Sequence, residues 1–204
     1  MDPVKTQSTN FGESREENSL AFLDLAYTHS NNIFHLLVRE GLVKDDNSSR
    51  TLASFLEIVS FVHCWIEMEV ERRLPREVFE GLNRLLSEVK TSWGSFFVDP
   101  PEGPKLENES VESVHAIMTR RCGQYRHTYL YSLRADGRLY ALRTCCAAFL
   151  ENLLPGYISA PEDSGKDQQR TRNLNDPILH YVSDTVHELE RDTSLMLTQH
   201  TLGR

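Results

Sequence analysis

Two histidines and a glutamate at helical spacing are the first residues whose types could do chemistry. His63 and Glu67 stand four residues apart in the most apolar stretch of the chain, and His115 lies beside Val114 and Met118 in a second apolar stripe. Imidazole nitrogens and carboxylate oxygens are common ligands of transition metals. If these two helices pack together, His63, Glu67 and His115 form an internal metal or small-molecule site. The alternative is that both histidines are core residues whose hydrogen bonds are satisfied within the protein.

A second candidate metal site lies near the end of the chain. His180, Asp184 and His187 follow each other at intervals of four and three residues, so they share one face of a helix. That face could hold a transition metal through two imidazoles and a carboxylate. It lies opposite the apolar face that carries Ile178 and Val182, which favours the alternative of an ordinary solvated surface.

A cluster of arginines is the third candidate site. Between residues 120 and 143 the chain has six arginines and no lysine: Arg120, Arg121, Arg126, Arg134, Arg138 and Arg143. A guanidinium group binds carboxylates and phosphates through paired hydrogen bonds. The cluster therefore predicts one of three things: ion pairs inside the protein or across a dimer, an acidic protein partner, or a phosphorylated or nucleic-acid ligand. The net charge of −8 disfavours general nucleic-acid binding but leaves a local basic patch open.

Common catalytic motifs are missing from the sequence. It contains no GxGxxG, GxxxxGK[ST], HExxH or GxSxG segment, and its four cysteines include no CxxC pair. The sequence therefore favours a non-enzymatic protein without a resident cofactor. The N-terminal residues are polar and lack the apolar core of a secretory signal, and free thiols are typical of a reducing compartment. We therefore expect a cytoplasmic protein.

The element that must position these residues is a helix over residues 52–73. Its apolar side chains fall on opposite sides of a helical wheel, so it needs neighbours on both sides. The charges at Glu57, Glu67 and Glu69 make a membrane span costly, at roughly 2.5–3.5 kcal/mol for each central charge. We predict an all-α fold: one domain of about six helices around this central buried helix.

The remaining elements follow from apolar spacing and from prolines and glycines. The predicted organisation is a flexible leader over 1–13, a helical bundle over 14–200 with loops at 98–110 and 155–175, and a tail over 201–204. One stretch, residues 127–144, admits two structures. Asp136-Gly137 is a strong turn signal for a β-hairpin, but helical periodicity continues on both sides, and this favours two helices meeting at Gly137.

Together these patterns predict a non-enzymatic helical interaction or regulatory module. We expect it to act through protein–protein contacts, as a homodimer or with another protein, and not at a membrane. The alternatives are a bundle with an internal metal or ligand site, and a protein that binds phosphate groups or nucleic acid through its arginines.

Overall fold

The computed structural model describes residues 11–46, 48–101, 103–155 and 176–202, and the side chains from residue 18 to residue 199 within these ranges. These residues form six helices and no strand, so the predicted all-α bundle is confirmed. The helices are α1 (Phe11–Arg39), α2 (Ser49–Arg73), α3 (Arg76–Val98), α4 (Val111–Asp136), α5 (Arg138–Leu153) and α6 (Pro177–Leu202).

Helix α2 is the centre of the bundle and contacts all five other described helices. It begins after Ser48, whose hydroxyl accepts a hydrogen bond from the backbone N–H of Thr51 at 3.2 Å and so caps the first turn. It ends before Pro75, which cannot continue the hydrogen-bond ladder. The other helices pack around α2 and bury opposite sides of it, as the sequence pattern predicts.

Helix α2 is also the one described helix that is long and apolar enough to span a membrane by length and composition. However, 72% of its most apolar window is buried among the other helices. Such burial is typical of the central helix of a bundle, whose apolar side chains pack against neighbouring helices.

Aromatic side chains fill the core around α2. Phe61 stacks on Phe149 of α5 with ring centroids 4.3 Å apart, and it meets the edge of Tyr125 of α4 at 5.2 Å. Both contacts lie in the range of favourable aromatic pairs. Phe61 therefore joins three helices at one point of the core.

The segment 127–144 forms a helical corner and not a hairpin. Helix α4 runs to Asp136, Gly137 has φ 83°, and α5 starts at Arg138. A positive φ is readily available to glycine, which explains why the chain turns at this residue. The hairpin alternative fails because Met118, Cys122 and Tyr125 are buried at helical spacing along α4, and the helix continues past them.

Two helix ends differ from the predicted boundaries. Helix α1 begins at Phe11, inside the predicted leader of residues 1–13, and α6 continues to Leu202, inside the predicted tail of residues 201–204. Helix ends are the least certain feature of a sequence pattern because they carry few apolar residues. The rest of the predicted leader (residues 1–10), residues 156–175 of the predicted second loop and residues 203–204 lie outside the described residues.

Gly94 allows α3 and α4 to approach each other closely. A Cβ atom at this position would lie 2.9 Å from both Cγ1 and the carbonyl oxygen of Val111. Gly94→Ala should therefore lower the free energy of unfolding by about 1–2 kcal/mol, because the overpacking cost of roughly 1–3 kcal/mol exceeds the helix-propensity gain of up to about 1 kcal/mol. Urea denaturation of the variant measures this change.

Gly81 is the matched control in the same helix, because a Cβ there meets nothing within 4 Å. Gly81→Ala should raise the free energy of unfolding by roughly 0.5–1 kcal/mol through helix propensity alone. Equal stabilisation by both alanines would show that α3 and α4 do not approach as closely at Gly94 as described.

Candidate functional site

A buried ion pair connects the centre of α2 to α3. Lys90 Nζ lies 2.6 Å from Glu67 Oε1, and His63 Nε2 lies 3.5 Å from the same oxygen. The side chains of His63, Glu67 and Lys90 are only 0%, 13% and 8% exposed. Burial alone would raise the pKa of the Glu67 carboxyl, but contact with His63 and the charge of Lys90 lower it to about 2. Glu67 is therefore ionised inside the bundle at neutral pH.

His115 of α4 lies at the edge of this group. Its Nε2 atom is 3.3 Å from the hydroxyl of Ser87, and the ring is close enough to Lys90, His63 and Glu67 to interact with them electrostatically. Burial and the charge of Lys90 lower the pKa of His115. The structure therefore places His63, Glu67 and His115 in one region, together with Lys90, which was not among the candidates chosen from the sequence.

Lys90 changes what this group can do. Its ammonium supplies the positive charge that the buried carboxylate of Glu67 would otherwise take from a metal ion. Within the described residues, no set of three or more His, Cys, Asp or Glu side chains has an arrangement that could hold a metal. A metal at His63, Glu67 and His115 thus remains a prediction, and this geometry does not favour it.

The two histidines of the second metal prediction have separate partners. His180 Nδ1 lies 3.5 Å from a guanidinium nitrogen of Arg143, and His187 Nδ1 lies 3.5 Å from Glu190 Oε2. Asp184 is exposed on the same helix. A metal at His180, Asp184 and His187 also remains a prediction, and the guanidinium beside His180 would repel a cation there.

The four cysteines are free thiols buried in the core. Cys64 donates a weak hydrogen bond to the carbonyl of Cys122, and Cys122 donates one to the carbonyl of Ser60. Hydrogen bonding to Cys122 and burial raise the pKa of Cys64, and burial raises the pKa of Cys145 and brings that of Cys146 to about 12. Cys64, Cys145 and Cys146 are therefore protonated core groups and not activated nucleophiles.

Three of the six predicted arginines pair with carboxylates on other helices. The pairs are Arg121 with Glu57 (2.8 Å), Arg126 with Glu71 (3.0 Å) and Arg138 with Glu190 (2.7 Å). The side chain of Glu57 is only 10% exposed and also accepts a hydrogen bond from the Tyr125 hydroxyl, so the first pair belongs to the interior of the bundle. Internal pairing therefore accounts for half of the arginine cluster.

Two arginines of the cluster lie on an outward-facing stripe of α4. We define the outer stripe of α4 as five residues at helical spacing: Arg120, His127, Leu130, Tyr131 and Arg134. Arg120 and Arg134 are exposed and have no ion pair with any described residue. Leu130 and Tyr131 between them are 45% and 72% exposed, and the ring of His127 stacks on that of Tyr131 with centroids 6.4 Å apart.

A cleft rich in arginine opens where the end of α2, the start of α5 and the middle of α6 meet. Its volume is about 520 Å³, and we call it the basic cleft. It is lined by Arg72, Arg73, Arg138, Leu139, His187, Glu190 and Arg191. Both Arg72 and Arg73 contact the buried carboxylate of Glu69 on the same helix. The lining thus combines four guanidinium groups with an exposed leucine.

Of the residues that line the basic cleft, only Arg138 and His187 belonged to the sites predicted from the sequence. Arg72 and Arg73 end the central helix, where basic residues are expected simply because they balance the negative end of the helix dipole. One signal was available: both follow Glu69 at three and four residues, so two cations share one carboxylate. That excess of positive charge could have indicated an anion site.

Comparisons of the chain with protein-family models, with curated proteins and with solved structures gave no match. An assignment of function to this chain therefore depends on the contacts, burial and charge of its own side chains.

Proposed function

We propose that this chain is a non-enzymatic helical interaction module that binds an acidic, amphipathic helix of another protein on the outer stripe of α4. One observation carries the proposal: large apolar side chains are exposed between two arginines that have no ion pair among the described residues. The stripe supplies apolar area, hydrogen bonds and positive charge, which are properties that serve binding.

The chemistry of the stripe resembles that of binding hot spots. Tyrosine and arginine are enriched among the interface residues whose loss costs most affinity. Tyr131 is 72% exposed, and its ring stacks on that of His127. Tyr131 is therefore the expected anchor of the interface.

The length of the stripe suits a helical partner. Arg120 and Arg134 are fourteen residues apart in a continuous helix, which corresponds to about 21 Å at a rise of 1.5 Å per residue. An amphipathic helix with acidic residues toward both ends would place those residues at Arg120 and Arg134, and its apolar side chains would pack on Leu130 and Tyr131, which lie nearer Arg134.

Charge favours a different protein over a second copy of this chain as the partner. A two-fold axis near His127 would bring Arg120 of one copy close to Arg134 of the other, because such an interface uses the same surface twice. Like charges placed together in an interface are unfavourable. The homodimer that the sequence suggested would therefore need a surface other than this stripe.

Tyr131→Ala should weaken the binding of a synthetic acidic amphipathic helix by roughly tenfold or more, because hot-spot truncations cost upwards of about 1–2 kcal/mol. The peptide is stapled in its helical form, and fluorescence anisotropy measures its affinity. A second peptide carries lysine in place of each glutamate and should not bind, since it repels Arg120 and Arg134.

Tyr181→Ala is the matched control, because Tyr181 is a 40% exposed tyrosine on α6, outside the stripe. It should leave the affinity unchanged. Similar binding of the acidic and lysine peptides, or an equal loss in Tyr131→Ala and Tyr181→Ala, would refute the proposed surface.

A further inference from the structure

We propose that the basic cleft binds a phosphate monoester. This site is separate from the outer stripe of α4, and the inference does not depend on the function proposed for that stripe. The ligand class follows from the charge, the geometry and the size of the cleft.

The cleft has more positive than negative charge in a chain whose net charge is −8. Its four arginines face two carboxylates, Glu190 in the lining and Glu69 beneath Arg72 and Arg73. Asp192 contacts Arg191 at 3.3 Å, and an excess of one positive charge remains when this aspartate is counted. A segregated positive charge of this kind favours an anionic ligand.

The carboxylates lie deep and the guanidinium groups lie toward solvent. The side chains of Glu69 and Glu190 are 2% and 12% exposed, whereas those of Arg72 and Arg138 are 50% and 51% exposed. A guanidinium has five N–H donors, and a carboxylate at the floor of the cleft occupies only some of them. The buried carboxylates therefore hold the arginines in place, and donors at their outer edges stay available to a ligand.

A phosphate group matches this arrangement better than a carboxylate does. Its three terminal oxygens can accept hydrogen bonds from several guanidinium groups at once, and arginine–phosphate pairs are among the stronger charge-assisted contacts. The volume of about 520 Å³ is within the usual range for small-ligand sites and leaves room for an organic group beside the phosphate. Leu139, which is 60% exposed at the cleft, offers that group an apolar contact.

The test is a titration of the folded protein with phosphate probes. Calorimetry measures the binding, and the NMR signals of the arginine side chains show where it occurs. Inorganic phosphate is the first probe, and a phosphoserine peptide and its unphosphorylated form are the second and third. We expect saturable binding of inorganic phosphate that perturbs the signals of Arg72 and Arg138. Binding of the phosphopeptide but not its unphosphorylated form would point to a modified protein as the source of the group, whereas binding of inorganic phosphate without the phosphopeptide would point to a small metabolite.

Variants separate a built site from general attraction. Arg191→Gln removes a 68% exposed guanidinium of the cleft and should weaken phosphate binding by roughly tenfold. Arg138→Lys keeps the positive charge but removes the paired N–H donors of the guanidinium group, and it should also weaken phosphate binding. Arg84→Gln, an exposed position on α3 away from the cleft, should leave binding unchanged.

A single-stranded oligonucleotide is titrated as a fourth probe. Three outcomes would overturn the inference: no saturable binding of any phosphate probe by the folded protein, an equal loss in Arg84→Gln and Arg191→Gln, or binding of the oligonucleotide that is tighter than that of the other probes and falls steeply with salt. The last outcome would assign the basic residues to nucleic acid.

Discussion

Glu67→Gln should lower the free energy of unfolding by about 3 kcal/mol or more, because removal of one member of a buried ion pair leaves the other charge uncompensated. In this case Lys90, with a side chain 8% exposed, would remain buried without its carboxylate 2.6 Å away. Urea denaturation monitored by circular dichroism measures the change. An unaltered slope of unfolding free energy against urea concentration would show that the variant and the parent undergo the same transition.

The same variant should change how stability depends on pH. The pKa of Glu67 is about 2 in the folded chain against an ordinary value of 4.5. In the unfolded chain this carboxyl binds its proton at higher pH, so the stability that it contributes is present above about pH 4.5 and is lost as the pH falls toward 2. In Glu67→Gln this part of the acid dependence disappears. The part due to Asp46, whose pKa is also about 2 because of hydrogen bonds from Ser48 and Thr51, remains.

The control for this prediction is Glu80→Gln, which breaks an exposed ion pair with Arg76. Because exposed pairs contribute little to stability, this variant should unfold almost as the parent does, at neutral and at acid pH. If Glu67→Gln were as stable as Glu80→Gln at neutral pH, Lys90 would be solvated or paired with another group. Lys90 and Glu67 would then not form a buried ion pair.

Phe61→Ala should cost about 3–5 kcal/mol of unfolding free energy, the usual range for removing a buried aromatic side chain. Phe61 is fully buried and contacts Phe149 and Tyr125 on two other helices, so the cavity cannot be closed by the movement of one side chain. Thermal and urea denaturation both report the loss. Phe61→Leu keeps most of the volume and should cost clearly less.

A matched exposed position completes this comparison. Phe96 is 42% exposed on α3, and Phe96→Ala should have a much smaller effect than Phe61→Ala. If the two alanine variants lost similar stability, Phe61 would not be the junction of α2, α4 and α5 that the ring contacts indicate.

The fold was predictable from the sequence because helix periodicity and helix breakers act locally. The apolar sides of the stretch 52–73 required neighbours, and Ser48, Pro75 and Gly137 act close to where the described helices start or stop. The ends of α1 and α6 were missed because the first and last turns of a helix have few buried side chains to reveal them.

Pairing between distant residues was harder to predict. Lys90 lies four residues after Leu86 and three before Trp93, so it occupies the buried stripe of α3, and this was a visible sign of an inward charge. Its partner could not be derived in the same way, because the choice of Glu67 depends on the relative rotation of α2 and α3. For the same reason the sequence identified an arginine cluster but not which of its members face Glu57, Glu71 and Glu190.

Because all four thiols are buried, their reactivity reports on local opening of the folded chain. Because Cys64, Cys122, Cys145 and Cys146 are inaccessible in the closed bundle, a thiol reagent can modify them only when helices separate. These positions lie on α2, α4 and α5, so the order in which they are labelled under native conditions would show which part of the bundle opens first. No introduced cysteine would be needed to follow that motion.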